Sequence, residues 1–553
     1  MPVIDVEKWD LERLVGKRLS REEILDLLSR VKCEIEVFEG DTISYEAPHD
    51  RPDLFSVEGL ARAIRSLLGI GGIDFNFVDR GVKAYNMGVP RRPYVAFAIV
   101  EDLVLDDEAV KQLMNLQEKL HITYGRGRRK ASIGLYDLDS LRLPVYYELR
   151  DPLETRFTPL GETREMNLRE ILEETEKGRE YGHLLSGWDK LPVLRDEAGT
   201  ILSMPPIINS EDTRVTPSTK NVIIDSTGFD PKTVVDIVTV VATSVAERSR
   251  SRTIVFVDTI MSSGEVVRAP RSSNPSIKLE YGSLEKLLGI KLGREQVIDA
   301  LRKMGYKITS LSQGHVVAEP PPYRLDVLRD VDLIEDIAMA IGYDVIGKAA
   351  NTLPPAYHPG RKHPLEHLSR RLKLLFIGMG FNEVVNYMMS NPYMQNKIFG
   401  SNDPLVIVSN PKMEKYTCLR RWLTPGLLEV ILVNKEKRKV IKIFEVGDVA
   451  IVNPRSETGV RIERRIGYAI SYQKATLTDS LAVLKTISSI IGLDIVFEKA
   501  EIKGLLRERT AVIKTVDGRT IGFTGEIHPE VLIKLGIENP VVVGEIIVND
   551  IKI

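Results

Sequence analysis

Two cysteines, Cys33 and Cys418, stand far apart in 553 residues. They are too few for a disulfide framework or a cysteine-rich zinc site, so a reducing cytosol is the default environment. No run of about 18 apolar residues occurs, so no membrane-spanning helix is expected. The opening stretch MPVIDVEKWDLERLVGKRLS contains acids and lacks an apolar signal core, which argues against export. A large charge excess is missing too. The formal net charge of −2 excludes a surface built throughout for nucleic acid, while local basic patches stay open. No internal repeat of roughly 20 to 50 residues and no low-complexity segment interrupts the chain.

What is present reads as a soluble, multidomain α+β protein. Hydrophobic residues make up 43% and charged residues 28%, an ordinary globular balance. The length exceeds one hydrophobic core and suggests about three to five domains. Residues 1–84 read as a small α/β module. Ser20 and Glu23 have capping-box spacing, CEIEVFEGDTISYEA alternates like a strand pair, and Val57, Leu60, Ala61, Ile64, Leu67 and Leu68 recur at helical spacing. Residues 85–268 mix strands such as NVIIDST and TIVFVDTIM with the helices DDEAVKQLMNLQEKLH and DPKTVVDIVTVVATSVAERS, a compact α+β domain. The linker RAPRSSNPS opens a mainly helical domain, 269–347, and a last module, 348–553, alternates strands with helices.

A helix crowded with carboxylates lies in PPYRLDVLRDVDLIEDIAMAIGYDVI, residues 321–346. At helical pitch, Leu333, Ile334, Ile337, Ala338 and Ile341 share one arc, and Asp332, Glu335 and Asp336 share another. Like charges at those spacings repel. Asp326 lies just upstream, and Asp330 reads as a cap. Two accounts remain open: a solvated acidic face favoured by the helix dipole, or oxygen ligands for a hard cation such as Mg²⁺.

The pattern P-P-x-x-R-x-D-x-x-x-x-x-D-L-I-E-D-I-A-x-x-x-G-Y-D closely resembles the fifth domain of phenylalanyl-tRNA synthetase beta subunits. HDRPDLFSVEGLARAIRSLLG (49–69) looks like the family's N-terminal signature, with His49-Asp50 replacing its usual start. MPPIINSEDTRVTPSTKNVIIDSTG (204–228) is similar to the editing-domain signature of the archaeal and eukaryotic branch. MGFNEVVNYMMSNP, LRRWLTPGLLEVILVN and KIFEVGDV match the C-terminal module in order. The resemblance runs essentially end to end. It implies an editing domain at 85–268, a winged-helix-like, DNA-binding-like domain at 269–347 that holds metal, and a class II synthetase-like antiparallel module at 348–553. It also implies a cytoplasmic α2β2 tetramer with a catalytic alpha subunit, tRNA(Phe) as a partner, ATP as a substrate of the complex, and no membrane. Asp326, Asp332, Glu335 and Asp336 would hold a Mg²⁺ shared with the alpha subunit. No G-x-G-x-x-x-E-R run follows residue 350, and Val446 and Asp448 stand where a catalytic version would need other groups. The last module is therefore expected to be non-catalytic, with no aminoacylation residue in this chain.

Within the editing signature, Asn209, Ser210, Thr213, Asn221, Asp225 and Thr227 supply short polar groups suited to binding a tyrosyl moiety and orienting a water. Ordinary turn chemistry is the competing account for each. No Ser-His-Asp order is evident, so no covalent nucleophile is expected. GRGRRK places Arg126, Arg128, Arg129 and Lys130 on a glycine-flexed loop, which suits either tRNA phosphates or solvent. The alternative function is a structural, tRNA-binding subunit with a decayed editing site. A free-standing metallohydrolase is more distant. His363-Pro-Leu-Glu366-His367 fits an inverted zinc-protease motif, but Pro364 marks a helix start that leaves His363 outside as a cap. PKMEKY is faintly similar to a class I synthetase loop, without the motifs that accompany it.

Overall fold

The computed structural model describes residues 2–71, 74–349 and 360–551, which fall into two compact units, 1–354 and 355–553. Both combine helices with sheets, and the chain is multidomain α+β as its sequence indicates. Among the described residues no helix is long and apolar enough to cross a membrane.

The first unit begins with strand β1 (Val3–Glu7), helix α1 (Lys8–Val15) and helix α2 (Arg21–Arg30), followed by the hairpin of β2 (Glu34–Glu39) and β3 (Thr42–Glu46). The strands pair antiparallel in the order β1-β3-β2. The capping box is present: Ser20 Oγ accepts the Glu23 N–H at 3.1 Å, and the Glu23 carboxylate accepts the Ser20 N–H at 2.8 Å. Helix α3 (Val57–Leu68) buries its periodic apolar positions and ends at Gly69, whose φ of 68° is left-handed.

A ten-stranded sheet occupies the middle of the unit. Its first members are β4 (Asn76–Asn86), β5 (Tyr94–Val100), β6 (Ala131–Asp137) and β7 (Val145–Arg150), with helix α4 (Asp107–Ile122) between β5 and β6. The short pair β8 (Arg156–Phe157) and β9 (Met166–Asn167) and helices α5 (Leu168–Glu174) and α6 (Glu176–Tyr181) come next. The sheet resumes with β10 (Leu191–Arg195), β11 (Ile201–Met204), β12 (Ile208–Asn209) and β13 (Val222–Gly228). Helix α7 (Pro231–Val245) then leads to β14 (Thr253–Ile260) and β15 (Val266–Ala269). The strand order is β12-β11-β10-β7-β4-β14-β5-β13-β6, with β15 beside β14. The division expected at residue 84 cuts β4, which lies parallel to β14 within this sheet. Gly81, at φ 68°, and a register shift interrupt the alternation that would have marked β4 as a strand.

Helix α7 is built from VVDIVTVVATSV, a β-branched run with strand propensity. Burial overrides that preference, because α7 lies under β5 and β13 with nearly every side chain enclosed. Asp230 caps it, Pro231 opens it, and the Thr239 and Thr243 hydroxyls donate to carbonyls four residues back. At its far end three arginines tie the substructures together. Arg248 donates to both Asp10 oxygens at 2.8 and 2.7 Å and to Glu58 at 2.7 Å. Arg65 reaches Glu247 at 2.5 Å and the Leu14 carbonyl at 2.7 Å. Arg62 donates to the Thr243 carbonyl at 3.1 Å, and its guanidinium sits 3.7 Å from the Tyr323 ring centre.

The unit closes with β16 (Ile277–Glu280), α8 (Tyr281–Leu288), α9 (Arg294–Lys303), β17 (Lys307–Leu311), β18 (His315–Glu319), α10 (Asp330–Ile341) and α11 (Tyr343–Ala349). Its three strands are ordered β16-β18-β17.

The second unit is a seven-stranded sheet, antiparallel except where the edge strand Asn382–Glu383 runs parallel to Ile441–Val452. One apolar cluster includes Phe376, Phe444 and Tyr468, and another includes Trp422, Leu427 and Val543. Buried carboxylates are matched: Arg420 meets Glu445 at 2.6 Å, and Arg465 meets Glu545 at 2.9 Å. Asp448 is spent on Arg464. His363 caps the helix Pro364–Gly378 from outside, as the proline position implies.

Removing one member of a buried ion cluster strands the others without partners, which costs about 3 to 5 kcal/mol. Arg248→Met should therefore lower the first unit's unfolding free energy, read from denaturant titration, by an amount in that range. Lys17→Gln, which breaks the exposed pair with Glu23, should leave the same measurement unchanged within error.

Candidate functional site

Strand β13 lies between β5 and β6 with all seven residues buried. The alternation of a strand puts Asp225 and Thr227 on the same face. Asp225 is paired in register with Gly134 of β6, and Thr227 with Ser132. The glycine is required there: a Cβ at position 134 would come within 1.9 Å of Tyr136 Oη and 2.3 Å of Asp225 Oδ1. Tyr136 Oη lies 2.7 Å from Asp225 Oδ1 and 2.8 Å from Ser203 Oγ. These groups form part of the wall of a cavity of about 420 Å³, which Gln117, His121, Arg128 and Asn209 also line.

Four buried polar atoms of the lining residues have no protein hydrogen-bond partner: Gln117 Oε1, His121 Nδ1, Arg128 Nε and Asp225 Oδ2. Orphaned groups are rare in folded interiors and costly to retain. Their gathering around one cavity marks it as a place for a polar ligand. Burial pushes the Asp225 carboxyl up to about 7, against the opposing pull of Tyr136 and Arg92. Burial pushes His121 down to about 4, despite Glu118 Oε2 at 3.6 Å from Nδ1. His121 Nε2 accepts the Ile133 N–H at 2.8 Å. The neutral ring thus carries its proton on Nδ1, its lone pair is used, and it is no base for a ligand.

Of the six editing candidates, Asn209 and Asp225 line the cavity. Thr227 lies beside it, its Oγ accepting from Arg92 Nε at 2.8 Å and standing 2.9 Å from Ser132 Oγ. Ser210, Thr213 and Asn221 do not line it. Ser210 caps a turn by accepting the Asp212 N–H, Thr213 donates to the Ser210 and Leu202 carbonyls, and Asn221 is tied to Asp139 and the Asp102 N–H. Among the four loop cations, Arg126 and Arg129 are exposed and Lys130 is half-buried. Arg128 is buried, donates to the Ile207 carbonyl at 2.7 Å and covers Tyr181 at 4.2 Å. Sequence reasoning passed over Gln117, His121, Ser132, Tyr136 and Ser203. Gln117 and His121 are one helical turn apart on α4, and Ser132, Gly134 and Tyr136 alternate along β6, which were the available signals.

The acidic helix is arranged differently. Asp326 is held by Arg324 at 2.9 and 2.7 Å, which keeps its carboxyl below the usual range against the push of burial. Asp336 receives Arg324 at 2.7 Å and the Tyr306 hydroxyl at 2.5 Å. Glu335 pairs with Lys32 at 2.5 Å. Asp332 accepts the Leu328 and Arg329 N–H groups at 2.7 Å each, so it takes the capping role expected of Asp330. The donor chemistry suits Mg²⁺, but this arrangement does not fit one. The carboxylates are already paired or capping, and among the described residues no three acidic, histidine or cysteine side chains group to hold a metal.

Three family models match in order along the chain: the B3/4 domain at 107–254, the tRNA synthetase B5 domain at 277–343, and the phenylalanyl tRNA synthetase beta chain CLM domain at 350–548. Together they define a synthetase beta-type chain, with the cavity inside its B3/4 domain. The phenylalanine–tRNA ligase beta subunit of Thermofilum pendens is 42% identical over 550 residues, covering 99% of this chain and 97% of that protein. The Pyrococcus furiosus counterpart is 37% identical over 557 residues, covering 99% of each. A solved N-terminal fragment of the phenylalanyl-tRNA synthetase beta subunit from Pyrococcus horikoshii has 39% identity and a TM-score of 0.58, over 62% of this chain and 100% of the fragment. The chain belongs to the phenylalanine–tRNA ligase beta subunit family.

The raised Asp225 carboxyl ties stability to pH. Its folded value of about 7 exceeds the unfolded value of about 4, so the folded state binds the extra proton between them. Stability from this group is present at low pH and falls as pH rises through that window. Asp225→Asn should remove that slope, read as the difference between wild-type and variant melting temperatures at pH 5 and pH 8. Equal slopes would refute the assignment.

Proposed function

We propose that this chain serves phenylalanine–tRNA ligase in two ways. It supports ATP-dependent attachment of phenylalanine to tRNA(Phe) by an alpha subunit in an α2β2 assembly in the cytoplasm, and it hydrolyses mischarged tyrosyl-tRNA(Phe) in the Asp225 cavity. The observation that carries the second part is the unpartnered Asp225 Oδ2 in the wall of that cavity. Tyrosine differs from phenylalanine by one hydroxyl, which an apolar synthetic pocket rejects only weakly. A separate site that binds the hydroxyl discriminates in the opposite sense. Asp225 Oδ2 and Gln117 Oε1 are acceptors waiting for a donor, and a phenyl ring would leave them unpaired.

Asp225, with a carboxyl near neutrality, is suited to accept a proton from a phenol or from a water. His121 has no lone pair to spare, so a histidine-activated nucleophile is not part of this reading. Asn209, also in the cavity lining, would orient the ligand. Thr227 acts through Arg92 and Ser132. Ser210, Thr213 and Asn221 shape the turns around the site. Arg126, Arg129 and Lys130 are the proposed phosphate contacts, while Arg128 belongs to the cavity wall.

The family uses ATP and Mg²⁺. A Mg²⁺ held by Asp326, Asp332, Glu335 and Asp336 would require Glu335 to leave Lys32 and Asp326 to turn from Arg324. It is therefore proposed only as a property of the assembled complex.

Three assays test the reading. The αβ complex should deacylate tyrosyl-tRNA(Phe) and spare phenylalanyl-tRNA(Phe), with Asp225→Ala slower by about tenfold or more. A wild-type complex without this activity would favour the structural subunit with a decayed site. This chain alone should form no phenylalanyl-adenylate. Mg²⁺ titration should detect a tight site in the complex but not in the isolated chain, and Asp332→Asn should weaken assembly; tight binding by the chain alone would overturn the shared-site proposal.

A further inference from the structure

Phe229 follows the last residue of β13 and is 53% exposed. A single exposed aromatic needs no explanation, but this one has particular neighbours. Gly228 is paired with Ala131, so Phe229 and Lys130 stand at the same end of the β13–β6 pair. The turn before β6 carries Arg126 and Arg129, exposed and without an ion pair among the described residues. The Arg92 guanidinium lies 5.8 Å from the Phe229 ring centre. Arg92 also donates to Ser132 Oγ at 3.1 Å and to the Arg128 carbonyl at 3.2 Å, and both of those residues line the cavity. The aromatic face is thus joined to the cavity through one buried arginine. From Asp225 to Phe229 the strand rises about 13 Å, a span suited to a tyrosyl ester and its ribose. Lys130 shares this end with the Asp230 carboxylate, which leaves Arg126 and Arg129 as the cations without an ion pair; an exposed ring beside such cations is the combination that binds single-stranded nucleic acid.

We propose that Phe229 is the stacking platform for the 3′-terminal base of the tRNA whose ester enters the Asp225 cavity, with Arg126, Arg129 and Lys130 on the adjoining phosphates. This rests on the hydrolytic reading of the cavity. Phe229 positions the substrate and does not touch the scissile bond.

The test uses the αβ complex and tyrosyl-tRNA(Phe), intact or lacking the terminal base. Phe229→Ala should raise the KM for deacylation of the intact substrate about tenfold with kcat unchanged, and Phe229→Trp should keep the wild-type KM. Removing the terminal base should penalise wild type by a similar factor and add nothing in Phe229→Ala. A wild-type KM in Phe229→Ala, a loss confined to kcat, or a base-removal penalty that persists in the variant would each overturn the proposal. A wild-type complex that leaves tyrosyl-tRNA intact would sink the hydrolytic reading and this one together. Activity in wild type with an unaltered Phe229→Ala would sink this one alone.

Discussion

A guanidinium taken out of water needs acceptors for its N–H groups, a need that Arg248 and Arg65 meet in the first compact unit while Arg62 has one carbonyl and the face of Tyr323. Arg248, Arg65 and Arg62 reach from the end of α7 and from α3 to Asp10, Glu58, Glu247 and backbone carbonyls on neighbouring elements. The N-terminal module is thereby fixed against the helix that underlies β5 and β13. Those strands carry Asp225 and its surroundings, so the helix tied by these ion pairs also supports the strands of the cavity wall. Paired charges of this kind specify an arrangement more than they add net stability.

Local signals in the sequence were the ones that survived folding. The Ser20–Glu23 box, the α3 stripe and the proline at the start of α7 act within one or two turns, and each stands where its spacing places it. Asp225 was legible because a carboxylate ending an apolar strand has no apolar excuse. Its partners were not. Tyr136 lies 89 residues away, and Ser203 is 67 residues from Tyr136. In the strand order β11 lies near one end and β13 and β6 at the other, so it is the Tyr136 contact with Ser203 across the sheet that brings them to one cavity, and no periodicity encodes it. Ser210, Thr213 and Asn221 look like binding residues for the reason that they are good turn residues, since both uses need short polar side chains.

The acidic helix shows the same division. Spacing alone grouped Asp332, Glu335 and Asp336 on one face, but α10 buries Asp336 and leaves Glu335 exposed. What spacing could not supply was Arg324 and Tyr306 on one side and Lys32, some 300 residues upstream, on the other. Within this chain Asp326, Glu335 and Asp336 face tethered cations and Asp332 caps the helix start, so an incoming metal or partner meets competition from groups that cannot diffuse away.

Gly134 gives the cavity wall its character. Because residue 134 has no side chain, the Asp225 carboxylate and the Tyr136 hydroxyl share the space above it, and the hydroxyl holds Asp225 Oδ1 at 2.7 Å. One carboxylate oxygen is thereby committed to the protein while the other, Oδ2, is left without a partner, so the glycine decides which half of Asp225 is available at the wall.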